Sequence, residues 1–537
     1  MTANSSPTNN EPPQKTLDDL FELQKLGQNE AVFKLVKTII GFYPHSYSLY
    51  YMLGNSQGAL QKNDLAIDSY KRAIKIKPDL AEAYNNLGNA LSKTGKLEEA
   101  IDNYKQAIKI RPHYAEAYYN MASCLNLDAA IDSYKLAIKA KPDYPEAYFS
   151  IGNALKAKGE FDNAIDSYEQ AIKIKPAFPE AYTNMGIALQ DNGQLDAAID
   201  SYKKAINIWP DYTPAHFNLS FALLNAGNVK EGLREHEWRL RTPNFKAEER
   251  HFSKPMWDGT KKLKGKRILL WNEQGPGDMI IWSSCLPYLS SLAHHCILEC
   301  KTKLVPLFTR SFPNIEVKAE NKSLDTKRGD FDFHLPMGSL FQYFIPEISK
   351  NAKSDAFLVP NPLRVNFWRE RLNSLGPGPY VGICWKSPRV TLHRMPNYTQ
   401  ISDWVPVLTL PGITFINLQS SDFREDSQVI DDLATIRNEF GVNVHHFDDL
   451  DHFDDLDDVA ALSAALDIAV SVSTAVSTIT AGVGTPTKML HWRQSAWNNI
   501  LFTPPGPCVE VFERNTWEPW DKVFHSVARD IAKYQVS

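Results

Sequence analysis

The chain has 537 residues, too many for one ordinary core, so two to four domains are expected. Charged residues make up 23%, hydrophobic residues 43%, and the formal net charge is -5, none of which points to a nucleic-acid binder. No apolar run approaches the ~20 residues that span a bilayer. The opening MTANSSPTNNEPPQK has neither the basic nor the apolar region of a secretory signal. Residues 1–15 therefore read as a disordered tail, and the expected location is cytoplasmic.

Six cysteines, Cys124, Cys285, Cys296, Cys300, Cys384 and Cys508, form no CxxC pair. Free, buried thiols in a reducing compartment are expected. A metal site from His294, His295, Cys296 and Cys300 is the alternative, but it lacks a second ligand pair at zinc spacing.

Prolines recur at Pro44, Pro78, Pro112, Pro142, Pro176 and Pro210, at intervals of 34, 34, 30, 34 and 34 residues. A version of AIDSYKxAIKIKP precedes most of them, and a version of PDxAEAYxNLGNAL begins at most of them. Each unit holds two helical patterns with apolar residues three and four apart: Tyr84, Leu87 and Leu91 on one helix, Ala100, Tyr104 and Ala107 on the next. Small residues such as Gly88 let the helices approach, Gly95 makes the turn, and Pro112 ends the second helix. A lone helix pair cannot bury its apolar face, so neighbours must stack into a solenoid. The pattern resembles the tetratricopeptide (TPR) family and covers residues 16–241, about six repeats. The 30-residue interval comes from four residues missing near 125–128, which predicts a kink or an abbreviated helix there.

Asn86, Asn120, Asn184 and Asn218 occupy one equivalent position in the first helix of their repeats. First helices normally line a concave face, where a column of carboxamides can pair with an extended peptide backbone. This column resembles the asparagine ladder of O-GlcNAc transferase TPR superhelices. The same asparagines could instead bond to a neighbouring repeat. Beyond the repeats, residues 242–265 form a charged junction. The aromatics Trp238, Phe252 and Trp257, in it or just before it, suggest a packed joint. The EWR segment and the following P-x-W-DG segment resemble the joint in bacterial TPR proteins with a heptosyltransferase-like module.

From Lys266 short apolar runs alternate with helical segments, the signature of parallel α/β units. RILLWN (267–272), CILEC (296–300), a strand end within 330–340, YVGICWK (380–386) and ITFINLQ (413–419) read as strands. Residues 279–293 read as one helix, 456–466 as another, and 516–534 as a closing helix. Residues 467–490 read as strand, turn, helix, Gly loop and strand. The ordered pieces EQGPGD, VGICWK, PGITFINLQ, DDLDDVAALSAALDIAVSVSTA and GVGTP resemble the heptosyltransferase-like families of the GT-B glycosyltransferases, over residues 234–530. The expected fold class is thus a TPR α-solenoid followed by two Rossmann-type α/β lobes, 266–375 and 376–537.

That resemblance implies the site. Asp278 matches the family's general base on the acceptor, beside Gly275 and Gly277 of an acceptor-side loop; an N-capping role is the alternative. Lys386 matches a cation that neutralises the donor diphosphate, and could equally be a solvated lysine at a strand end. Ser473, Thr474 and Ala475 match a strand-to-helix turn facing the phosphates, and Gly482 and Gly484 a loop near the nucleotide. Family members often carry Asp-Thr where this chain has Ser473-Thr474, with a His at the position of Thr478. The acidic run from Asp448 to Asp458, preceded by His445 and His446, lacks EF-hand spacing and suits a helix start.

The reading is a glycosyltransferase that uses a nucleotide-sugar as co-substrate, with no metal and no other cofactor expected. Its repeats would recruit a protein or peptide. The alternative is a TPR scaffold with a degenerate transferase-like module.

Overall fold

The computed structural model describes residues 10–248, 250–323, 328–344, 356–386, 398–419, 427–492, 508–514 and 518–535. Residues 1–9 of the expected tail lie outside these. The chain divides into two compact units, Met1–Ala215 and His216–Ser537.

The first unit is a helical solenoid. Its helices are α1 (Gln14–Lys25), α2 (Asn29–Ile39), α3 (Tyr47–Ala59), α4 (Asn63–Ile76), α5 (Ala81–Lys93), α6 (Leu97–Ile110), α7 (Ala115–Ala122), α8 (Leu127–Ala140), α9 (Pro145–Ala157), α10 (Phe161–Ile174), α11 (Pro179–Asp191) and α12 (Leu195–Ile208). Gly95, Gly159 and Gly193 turn each pair with φ of 79°, 79° and 80°. Gln61 takes the equivalent turn at φ 59°, a left-handed conformation that costs a non-glycine residue ~1 kcal/mol. The 30-residue repeat has no such glycine. Its α7 has 8 residues where α5 and α9 have 13, and Asn126 caps α8 by accepting from Ala129 N–H at 3.1 Å. The tail reading needs one correction: α1 starts at Gln14, and the Glu11 carboxylate accepts from Ser46 Oγ at 2.6 Å and Tyr47 N–H at 3.0 Å.

The second unit carries the end of α13 (Thr213–Asn225), α14 (Val229–His236) and the 3-10 turn Glu237–Arg241. Two all-parallel sheets follow. The first comprises β1 (Arg267–Trp271), β2 (His295–Cys300), β3 (Glu316–Ala319) and β4 (Phe333–Pro336), in the order β3-β2-β1-β4. The second comprises β5 (Tyr380–Cys384), β6 (Thr414–Asn417), β7 (Val444–His445), β8 (Ile468–Val472), β9 (Thr487–Trp492) and β10 (Val509–Arg514), in the order β10-β9-β8-β5-β6-β7. Every residue of β5 and β8 is buried, as parallel strands covered on both faces require. Their faces alternate: Val381, Ile383, Ile468, Val470 and Val472 join one core with α24 (Asp521–Ile531), while Cys384 and Ala469 join the other.

Residues 279–293 do not form one helix. They form α16 (Pro276–Ser283) and α17 (Leu286–Leu292), broken ahead of Pro287, which cannot donate to a continuous ladder. The junction is packed. Trp257 N–H bonds to His334 O at 2.9 Å beside β4, and Trp257 is buried. Trp238 stacks on the His216 ring at 3.7 Å, with the Arg241 guanidinium 4.1 Å from its ring centroid. Among the described residues no helix is long and apolar enough to cross a membrane.

Candidate functional site

In each sheet the chain runs outward from one strand and then returns to its other side. The reversals fall between β1 and β4, and between β5 and β8. Ligands of doubly wound sheets bind at such switch points, outside the carboxyl ends of the strands. Beyond β1 comes the loop Glu273 to Asp278, and beyond β4 Met337 to Ser339. Beyond β5 come Trp385 and Lys386, and beyond β8 Ser473 and Thr474.

The two switch points meet. Gly275 is the N-cap of α16, and Gly277 lies in its first turn. A Cβ on Gly277 would lie 3.3 Å from the Cα of Ala475, the first residue of α23 (Ala475–Gly482). Two helix N-termini therefore converge, each with a dipole favourable to an anion. Thr474 and Ser477 form a capping box at α23, with Thr474 N–H donating to Ser477 Oγ at 3.1 Å. Asp278 is half-buried in the first turn of α16, at the third helical position rather than the N-cap.

Lys386 does reach the end of β5, but its ammonium pairs with Asp432 at 2.7 Å, and the Trp385 indole donates to the same carboxylate oxygen at 2.8 Å. Asp432 comes from α21 (Ser427–Phe440). Gln419 closes the strand end: its Oε1 accepts from the N–H groups of Trp385 at 3.1 Å and Lys386 at 2.9 Å. Burial pushes the Cys384 thiol up to about 11, against hydrogen bonding with Thr474 and Ser471 that lowers it. At the end of β6, Asn417 Nδ2 approaches His446 Nδ1 at 2.9 Å, and the His446 and His452 rings stack at 5.4 Å. Burial lowers the His452 pKa, with the carbonyls of Asn417 and Leu450 opposing.

The structure brings Gly275, Gly277, Asp278, Ser473, Thr474 and Ala475 together, with Lys386 on the neighbouring strand end. Gly482 and Gly484, expected as a loop near the nucleotide, stand apart from this group. They lie at the far end of α23, Gly482 about 12 Å of helix from Thr474. Gly482 O accepts from Phe357 and Leu358 N–H, and a Cβ on Gly482 would meet Leu358 Cδ1 at 2.5 Å. Gly484 has φ 88°. On the solenoid, Asn86 Nδ2 donates to Asn55 Oδ1 at 3.0 Å, Asn120 to Asn85 at 3.0 Å and Asn184 to Asn153 at 2.8 Å. These asparagines thus bond to the preceding repeat; Asn218 belongs to the second unit. Sequence reasoning missed Gln419, Asp432 and Arg239, whose partners are distant in the chain. Arg239 lay in the EWR segment and Gln419 ended the ITFINLQ run, while nothing marked Asp432. The acidic run is engaged by cations: Arg310 with Asp457, Arg364 with Asp458, Arg371 with Asp449 and Lys303 with Asp454. Among the described residues no group of His, Cys, Asp and Glu could hold a metal ion.

Comparison with known families matches TPR repeats at residues 54–95, 88–124, 126–159 and 152–193, and a tetratricopeptide repeat at 179–212. The N-terminal part is a run of TPR repeats. The chain is 29% identical to protein FlbA of Caulobacter vibrioides (strain ATCC 19089 / CIP 103742 / CB 15) over 327 residues, 58% of this chain and 54% of FlbA. It spans about half the length of that curated relative. The matched share exceeds the whole first unit, so the likeness runs into the second. Among solved structures, MamA is 33% identical over 29% of this chain and 94% of its own, with a TM-score of 0.28. The C-terminal part of a TPR repeat-containing protein from Cytophaga hutchinsonii is 16% identical over 42% and 95%, with a TM-score of 0.37.

Proposed function

We propose that the second unit is a GT-B-like glycosyltransferase that moves a sugar from a nucleotide-sugar donor, while the TPR array recruits a protein or peptide acceptor. One observation carries this reading: the two switch points face each other, with the starts of α16 and α23 in contact through Gly277 and Ala475. A diphosphate leaving group fits N–H groups and helix dipoles at that place. Asp278 would accept the acceptor's proton. Lys386 would exchange Asp432 for phosphate as donor enters.

The Lys386–Asp432 pair, together with Ser473 and Thr478 in place of a carboxylate and a histidine, favours a second reading, an interaction scaffold with an inactive module. Melting curves with UDP-, GDP- and ADP-sugars separate the two. A donor at 100 times its Kd stabilises the folded state by about 2.7 kcal/mol. The transferase reading expects one donor to raise the melting temperature, Lys386→Ala to lose that rise, and Asp278→Asn to keep it while losing transfer. No shift with any donor at millimolar concentration leaves the scaffold.

A further inference from the structure

Glu273 opens the loop between β1 and α16, and its side chain is 0% exposed. A carboxylate placed there must be compensated by donors or cations. Its Oε1 accepts from Arg239 Nη2 at 2.8 Å and from Gly338 N–H at 2.9 Å. Its Oε2 has no hydrogen-bond partner among the described residues. The Arg239 side chain is 4% exposed and comes from Glu237–Arg241, directly after the last helix pair. The same guanidinium donates to Ser339 Oγ at 2.9 Å and pairs with Glu237, and Ser339 Oγ donates to Glu237 Oε2 at 2.7 Å. Gly338 leaves no slack: a Cβ there would lie 2.3 Å from Glu273 Oε1 and 3.0 Å from Arg239 Nη2. Arg239 thus bonds both to the residue two positions beyond β1 and to the residue three positions beyond β4.

A buried pair of this kind is weak as a source of stability, because an apolar replacement of similar volume is often as stable. Its geometry is specific, however. The planar fork reaches a loop carboxylate, a hydroxyl after β4 and a carboxylate of its own turn at once, which a lysine point charge cannot do. We propose that Arg239 is a positioning residue: through Glu273 it fixes the loop from Glu273 to Asp278, and with it the start of α16 against Ala475. The segment that ends the repeats is thereby part of the cleft's support. The inference rests on the transferase reading only for what the loop acts on.

Amide hydrogen exchange on the full chain tests it without assuming an activity. In Arg239→Met the amides from Gln274 to Ile281 exchange at least about tenfold faster, while those of β5 and β8 stay within about twofold. Arg239→Lys gives an intermediate rise. If Arg239→Met does not fold, Ser339→Ala, which removes one limb of the network, shows a smaller rise confined to the same amides. Unchanged loop amides in a folded variant, or an equal rise across β5 and β8, overturn the proposal, since the pair would then be idle or merely stabilising. Where the wild type turns over a donor, Arg239→Met lowers kcat and leaves the donor KM nearly unchanged. A wild type without turnover removes the transferase reading, and the exchange result still decides the role of Arg239.

Discussion

In the solenoid a single glycine decides how closely two helices approach. Gly54, Gly88, Gly152 and Gly186 each stand over a tyrosine 16 residues later, and in each a Cβ would lie 2.6 Å from the ring's Cε1. The rings of Tyr104, Tyr168 and Tyr202 are almost fully buried, so they have nowhere to go. The Tyr168 hydroxyl then donates to Asn153 Oδ1 at 2.8 Å, the atom that also accepts from Asn184. Recurrence of glycine and tyrosine was legible in the sequence, as was the asparagine column. Which atoms meet was not: glycine and tyrosine pair across the two helices of one repeat, while the asparagines bond from one repeat to the next. Gly152→Ala tests the fit. Alanine gains ~1 kcal/mol of helix propensity, and overpacking costs ~1–3 kcal/mol. With a ring held from behind, the cost prevails, and the urea midpoint of the solenoid falls. A midpoint equal to or above wild type would show that Tyr168 yields.

At the scale of elements, the helix α22 (Leu456–Ala465) shows where local reading stops. Its start was legible: Asp455 accepts from Asp458 N–H at 3.0 Å as an N-cap, and acidic residues crowd the first turn. Its anchoring was not, since the partners lie on distant segments. Arg364, on α19 (Pro362–Asn373), grips Asp458 through Nε at 2.7 Å and Nη2 at 2.5 Å, and the Trp368 indole donates to the same carboxylate at 2.9 Å. The sequence boundary at 375 assigned α19 to the first lobe, yet it packs on α22 through Arg364 and Trp368 against Asp458, and Trp368 also lies 4.9 Å from Phe447. The Asp458 side chain is only 9% exposed, while that of Arg364 is 40% exposed. Removing the guanidinium leaves a carboxylate nearly buried, and the cost falls between that of a surface and a buried pair, about 2 kcal/mol. Arg364→Met is expected to lose that much by urea denaturation, and Arg364→Met with Asp458→Asn to recover at least half of it. A double variant as unstable as the sum of both singles would show that the pair is not coupled.

For the molecule as a whole, the order of strands could not be read from the chain. Alternation of strand and helix announced parallel sheets, but β5 pairs with β8, Val381 with Ile468, across an excursion through β6 and β7. The two-residue β7 and the half-exposed β10 left no apolar run to find. The unit boundary was also displaced. The repeat pattern runs on through α14, so the sequence placed the end of the solenoid at 241. The structure assigns everything from His216 to the second unit, because Leu224 and Leu233 join the core that holds Trp257, Leu263, Ile268 and Leu270. Periodicity reports that a helix has an apolar face; it does not report what that face covers. Two fragments make the difference measurable. One spanning residues 210–537 keeps α13, α14 and Arg239, and is expected to unfold cooperatively. One spanning 242–537 loses both leucines, each worth ~2–5 kcal/mol in a packed core, and leaves Glu273 buried without its cation. It is expected to aggregate, or to melt without a sharp transition in calorimetry. If the shorter fragment melts as sharply and as high as the longer, the last helix pair belongs to the solenoid alone and the boundary at 241 was right.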